Sequence, residues 1–154
     1  MKNLIFLLLS VLSSSCDDDS QKETQQGSEF ADVTNVTISG SENSYTFSVS
    51  ISSPDKGCEQ YADWWEVVSE SGELIYRRIL QHSHVNEQPF TRSGRGVAVV
   101  KDQIVWIRAH MNNNGYGGVT LKGSVSTGFS AEEFPEDLGK DLDQIDPLPS
   151  GCAF

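Results

Sequence analysis

The amino-acid sequence predicts an all-β domain, an antiparallel β-sandwich of about seven strands. Three observations predict it. Short segments alternate apolar and polar residues, most cleanly Tyr45-Thr46-Phe47-Ser48-Val49-Ser50-Ile51, the period of a strand with one face in a core and the other in water. Turn-forming residues punctuate the chain at short, even intervals. No segment before Ser130 carries a helical period.

The first strand is Val33-Thr34-Asn35-Val36-Thr37-Ile38, and residues 39–44, with Gly40, turn into the second at 45–51. Ser53-Pro54-Asp55-Lys56-Gly57 is a loop by composition. The third strand, residues 64–69, and the fourth, 74–80, form a hairpin across Glu70-Ser71-Gly72-Glu73. A long loop, residues 81–95, precedes strands at 96–100, 103–111 and 119–126. Residues 132–146 offer one weak acidic helical turn or none. Seven short strands at this spacing resemble the immunoglobulin and fibronectin type III sandwiches, and a Trp on the third strand, at 64 or 65, suits that fold. Such an order gathers three connections, 52–63, 81–95 and 112–118, at one end of the sandwich, a common location for function.

The N-terminus has the three-part layout of a secretory signal: Lys2, an apolar run over residues 4–12, then Ser13-Ser14-Ser15. The run is too short to span a bilayer. Leu12-Ser13-Ser14-Ser15-Cys16 resembles the lipobox of bacterial lipoproteins, with Ser13 where a large aliphatic residue is usual. The resemblance implies that residues 1–15 are removed and that Cys16 carries the lipid. Residues 16–30 then form a flexible, acidic tether opening on Asp17-Asp18-Asp19. The acidic start resembles the signal that sends some lipoproteins to the outer membrane, so the expected place is the cell envelope, on a periplasmic or surface face. Residues 31–128 are the sandwich, and residues 129–154 an acidic tail expected to pack back on it.

The formal charge of −11 becomes −12 once Lys2 leaves with the signal. Such a chain is a poor partner for nucleic acid, whose phosphates need clustered Lys and Arg. The membrane contact is therefore the lipid alone. Of three cysteines, Cys58 and Cys152 remain after Cys16. An even remainder in an exported protein suggests a disulfide, the alternative being two free buried thiols. A bridge of that span stabilises by about 4 to 5 kcal/mol in the chain-entropy model.

Three sets of residues are candidates for function. His82, His84 and His110 fall at one end of the sandwich, and three imidazoles brought together there would hold Zn or Cu; the alternative is three loop residues bonded to nearby turns. If Trp65 and Val67 face inward, Trp64 and Glu66 face outward. If Val105, Ile107 and Ala109 face inward, Trp106, Arg108 and His110 face outward, joined by Arg77 or Arg78. Trp64, Trp106 and Arg108 then make an aromatic–cationic face suited to a sugar or a protein partner. Tyr116, in Asn112-Asn113-Asn114-Gly115-Tyr116-Gly117-Gly118, adds a contact residue at a turn. The bland reading is that the apolar residues of the tail cover one Trp row. No Gly-x-Ser-x-Gly occurs and no Cys lies beside a His. Glu59, Asp63 and Glu87 supply carboxylates for glycoside hydrolysis, yet nothing in their spacing singles them out.

From Gln60 to Tyr116 the text Gln-Tyr-Ala-Asp-Trp-Trp-Glu-Val … Gly-Glu-Leu-Ile-Tyr-Arg … Trp-Ile-Arg-Ala-His-Met-Asn-Asn-Asn-Gly-Tyr resembles the iron domain of superoxide reductases, itself an immunoglobulin-like sandwich. The resemblance implies the fold. It does not imply the activity, because Gln60, Met111 and Asn114 stand where the family has iron ligands. The leading expectation is a non-enzymatic, lipid-anchored envelope module that binds a glycan or protein. The alternatives are a metal-binding or redox module and a structural lipoprotein without a ligand of its own.

Overall fold

A computed structural model describes residues 28–153. The expected signal, Cys16 and the tether up to residue 27 lie outside those residues. The described chain is a β-sandwich of eight strands in two antiparallel sheets: β1 (Asp32–Ser39), β2 (Tyr45–Ser52), β3 (Ala62–Ser69), β4 (Leu74–Ile79), β5 (Phe90–Val97), β6 (Val105–Met111), β7 (Leu121–Ser124) and β8 (Gly128–Ala131). One sheet has the order β1-β2-β5 and the other β4-β3-β6-β7-β8.

Alternation decides which face each strand buries. Tyr45, Phe47, Val49 and Ile51 of β2 point inward, and Trp65, Val67, Ile107, Ala109 and Met111 meet them from the opposite sheet. The intervening serines of β2 face water, where Ser48 pairs with Ser93 and Ser50 with Thr91 across the strands, each at 2.8 Å.

Two expectations are corrected. The fifth strand runs from Phe90, not from residue 96, which shortens the loop before it. Its sequence hid this, because Gly94 occupies an inward position where an apolar side chain would have marked the period. The glycine is required there: a Cβ would stand 2.4 Å from the Tyr76 ring and 2.8 Å from Trp65. The sandwich also does not end at residue 128. A turn held by Ser124 and Thr127 sends the chain back as β8, so the tail proper begins after Ala131.

The tail then crosses the outer face of the five-stranded sheet, makes one 3-10 turn at Leu142–Gln144, and ends on a disulfide between Cys152 and Cys58. The three connections expected at one end do meet there. Gly57 donates to Ser83, Ser53 to Gln88, and Tyr61 exchanges hydrogen bonds with Asn112.

Gly94→Ala tests the packing between the sheets. Overfilling this site is expected to lower stability by about 1 to 3 kcal/mol. The urea midpoint should fall with an unchanged slope; an unchanged or higher midpoint contradicts the packing described.

Candidate functional site: a clamped outer face and its groove

β3 is buried on both faces over seven consecutive residues, although Glu66 lies at its centre. Register explains how a carboxylate survives there. Glu66 faces Arg77 of β4 on one side and Arg108 of β6 on the other. Its Oε2 accepts from Nε and Nη2 of Arg77 at 2.8 and 2.6 Å. Its Oε1 accepts from Nε of Arg108 at 2.7 Å and from the Tyr116 hydroxyl at 2.9 Å. Four donors therefore satisfy a side chain with 0% exposure. Burial and the Glu66 carboxylate together push the Tyr116 hydroxyl well above its ordinary range, so it stays protonated and donates.

Two arginines against one glutamate leave a positive charge and spare N–H donors. Tail carbonyls take them. Arg77 donates to Leu142, Ile145 and Pro147, at 2.5, 2.6 and 3.1 Å, and Arg108 makes a longer contact with Gly139. Apolar packing adds to this. Leu142, Leu138 and Phe134 lie on Val68, Leu74 and Trp106 in a second, smaller core. Rings complete the layer: His110 stacks on Trp64 at 3.6 Å, Arg77 lies over Trp64, and Arg108 lies 3.7 Å from the Tyr116 centroid.

Trp64, Arg108, Tyr116 and His110 are thus brought together, but not as an open face. Trp64 and Trp106 are each 3% exposed, so neither ring is free to stack on a sugar. Of the two alternatives, an open Trp row or one covered by the tail, the structure shows the second: the tail lies over Trp106, and Arg77 and His110 pack around Trp64. Sequence reasoning placed Glu66 outward but missed its role as the node. The usable signal was its position midway between an Arg on each neighbouring strand.

The three histidines do not converge. His110 donates or accepts through Nδ1 with Asp63 at 2.7 Å and packs on Trp64. His82 is exposed, 4.5 Å from His84 between ring centroids. His84 is turned inward, stacked on Phe90 at 3.8 Å. Its backbone N–H is held by Asp55, a buried hub that also binds Ser53 and the Ala62 N–H. Among the described residues, no group of three or more His, Cys, Asp or Glu is placed to hold a metal ion. Nor do the candidate carboxylates pair: Asp63 serves His110 and Glu87 serves Arg92.

A groove of about 810 Å³ lies open between residues 116–120 and the tail. Arg108 and Tyr116 form its floor, and Phe134 and Leu138 its apolar side. Glu132, Glu133, Glu136 and Asp141 line its lip. Gly118 lets the chain pass close there, since a Cβ would meet the Ala31 carbonyl at 2.1 Å.

Among known proteins, the chain is 37% identical over 92 residues, 59% of its length, to a protein of Halomicrobium mukohataei named "Putative lipoprotein". The match spans 45% of that relative, so the chain covers about half of its length. No family model matches, and no solved structure matches.

Two outcomes follow from this geometry. Glu66→Gln removes the charge that two buried arginines face, and is expected to cost about 3 to 5 kcal/mol in chemical denaturation; a loss under about 1 kcal/mol contradicts the clamp. Both ring nitrogens of His84 are buried without a hydrogen-bond partner, the Asp55 carboxylate standing 3.9 Å from Nδ1. Burial first, then Arg92 and His82, holds its pKa below the ordinary 6.5. The folded state therefore keeps it neutral while the unfolded chain binds a proton, so stability falls as pH drops below about 6.5. His84→Phe should flatten the denaturation midpoint between pH 7.5 and 5.5, and an unchanged slope contradicts the assignment.

Proposed function

We propose that this protein is a lipid-anchored module of the cell envelope, held by Cys16, that binds a glycan without catalysing a reaction. The lipobox-like N-terminus supports the anchor, as does the similarity to a protein named for a lipoprotein. The observation that carries the binding reading is the groove beside Tyr116. Its chemistry is mixed: a guanidinium at the floor donates, carboxylates on the lip accept, and Phe134 gives an apolar wall. Sugar hydroxyls both donate and accept, and pyranose faces pack on apolar rings. A neutral saccharide also escapes repulsion by the acidic lip, which an anionic ligand would not.

A second reading, a structural lipoprotein with no ligand of its own, is favoured by the cover that the tail lays over Trp106. Binding separates the two. The purified protein is screened against neutral and charged oligosaccharides, and each hit is titrated by calorimetry. Glu133 and Glu136 are exposed, so Glu133→Ala with Glu136→Ala leaves the fold intact. The glycan reading expects that double variant to weaken binding at least tenfold, or by about 1.4 kcal/mol. Absence of any saccharide binding, or binding indifferent to the lip, favours the structural reading. Zinc and copper titrations run alongside address the metal reading, which now rests on His82 and His84 alone.

A further inference from the structure

The tail is held in two unlike ways. Residues 134–142 are packed: Leu142 is buried, and Phe134 and Leu138 are half-buried against Trp106. Beyond Leu142 the packing stops. No residue from 143 to 153 is buried, and the two large apolar side chains there, Ile145 and Leu148, are 46% and 39% exposed. Among the described residues, the strap is tied to the sandwich by the Arg77 bonds to the Ile145 and Pro147 carbonyls, the bond from the Ala153 N–H to the Gln81 carbonyl, and the disulfide from Cys152 to Cys58. The bonds from Arg77 are charge-assisted, but they join a segment that buries no side chain of its own. They persist because a covalent tie at the far end keeps the local concentration of these carbonyls high.

The two cysteines differ in their support. Cys58 sits in a braced loop, with its carbonyl bound by Asn112 and its neighbour Gly57 bound by Ser83. Cys152 has only the strap behind it. Both are half-exposed, and they open on a niche of about 370 Å³ shared with Gly57, His82 and Ser83, enough for a reductant to approach.

We infer that the Cys58–Cys152 disulfide is a redox latch, whose opening by a dithiol lifts residues 143–153 and uncovers the Arg77 guanidinium while both sheets stay folded. A thiolate of the dithiol attacks Cys152 Sγ, the Cys58–Cys152 bond breaks, and Cys58 leaves as a thiolate and takes up a proton. The second thiol of the reductant, as its thiolate, then displaces Cys152, which also takes up a proton. Two electrons pass to the protein and the dithiol becomes its own disulfide. Because Cys58 does not move, reoxidation re-forms the same pair. The free strap no longer holds its carbonyls against Arg77, whose side chain is 0% exposed when latched. The loss is local because every strand ends before the strap begins.

Hydrogen–deuterium exchange of the full purified chain, with and without dithiothreitol and far below the unfolding midpoint, tests this. Exchange in peptides covering 143–153 is expected to quicken at least tenfold, with peptides from β3 and β6 unchanged, and to return on reoxidation. A Cys58→Ser/Cys152→Ser variant should match the reduced protein without any reductant. Three results overturn the latch: a bond that dithiothreitol reaches only under denaturing conditions, strap exchange unaltered by reduction, or strand amides that quicken in step with the strap.

Discussion

The rest of this structure depends on one buried carboxylate. Glu66 sits where β3 has a strand on each side and a segment of chain above it, so no water reaches it. An ionised group in such a place is costly unless donors surround it. The pleat puts Arg77 and Arg108 directly across from it, one on each neighbouring strand. That arrangement answers the first problem and creates a second. Two guanidiniums against one carboxylate leave N–H groups that also need acceptors. Strand carbonyls lie in the plane of the sheet and do not rise from its face. The irregular backbone of residues 139–147 has free carbonyls and lies across the face. The course of the tail therefore answers a demand made by the sheet.

The outer layer is accordingly uneven in character. Around Trp106 the contact is apolar, and Phe134, Leu138 and Leu142 form a small core of their own. Around Trp64 it is polar and aromatic, with His110 stacked on the ring and Tyr116 bridging Trp64 to Glu66. Between the two the tail stands off from residues 116–120, and the groove lies in that gap. The loop end of the sandwich is organised separately. Asp55 reaches backbone N–H groups on either side of it and leaves His84 buried against Phe90. The acidic, concave groove lies at the side of the sandwich, apart from the end loops.

Much of the fold was legible because period-2 alternation is a local property. The run of Tyr45, Phe47, Val49 and Ile51 names its own inward face, and the same logic put Glu66, Arg108 and His110 together on the opposite side of β3 and β6. Two elements escaped for a common reason, that their signal is not local. Gly94 stands at an inward position because Trp65 and Tyr76 from the other sheet fill that space, and no reading of β5 alone reveals it. β8 is four residues long and two of them are Gly and Ser. The site was half legible. Which side chains shared a face followed from the strands, but whether that face was open depended on a tail with no period at all. The histidines show the same limit: shared position at one end of the sandwich did not say that Asp55 turns His84 inward while His110 lies down on Trp64.

Glu66 and its arginines act as one unit, and a double-mutant cycle reads that directly. Glu66→Gln, Arg77→Met and the pair together are compared by equilibrium denaturation. If the cost of losing Glu66 is mainly the stranding of Arg77, removing the arginine as well relieves part of it. The double variant should then lose less than the sum of the two single losses, with a coupling of about 1 to 3 kcal/mol. Losses that simply add would contradict the account and leave the tail held by apolar packing and its disulfide.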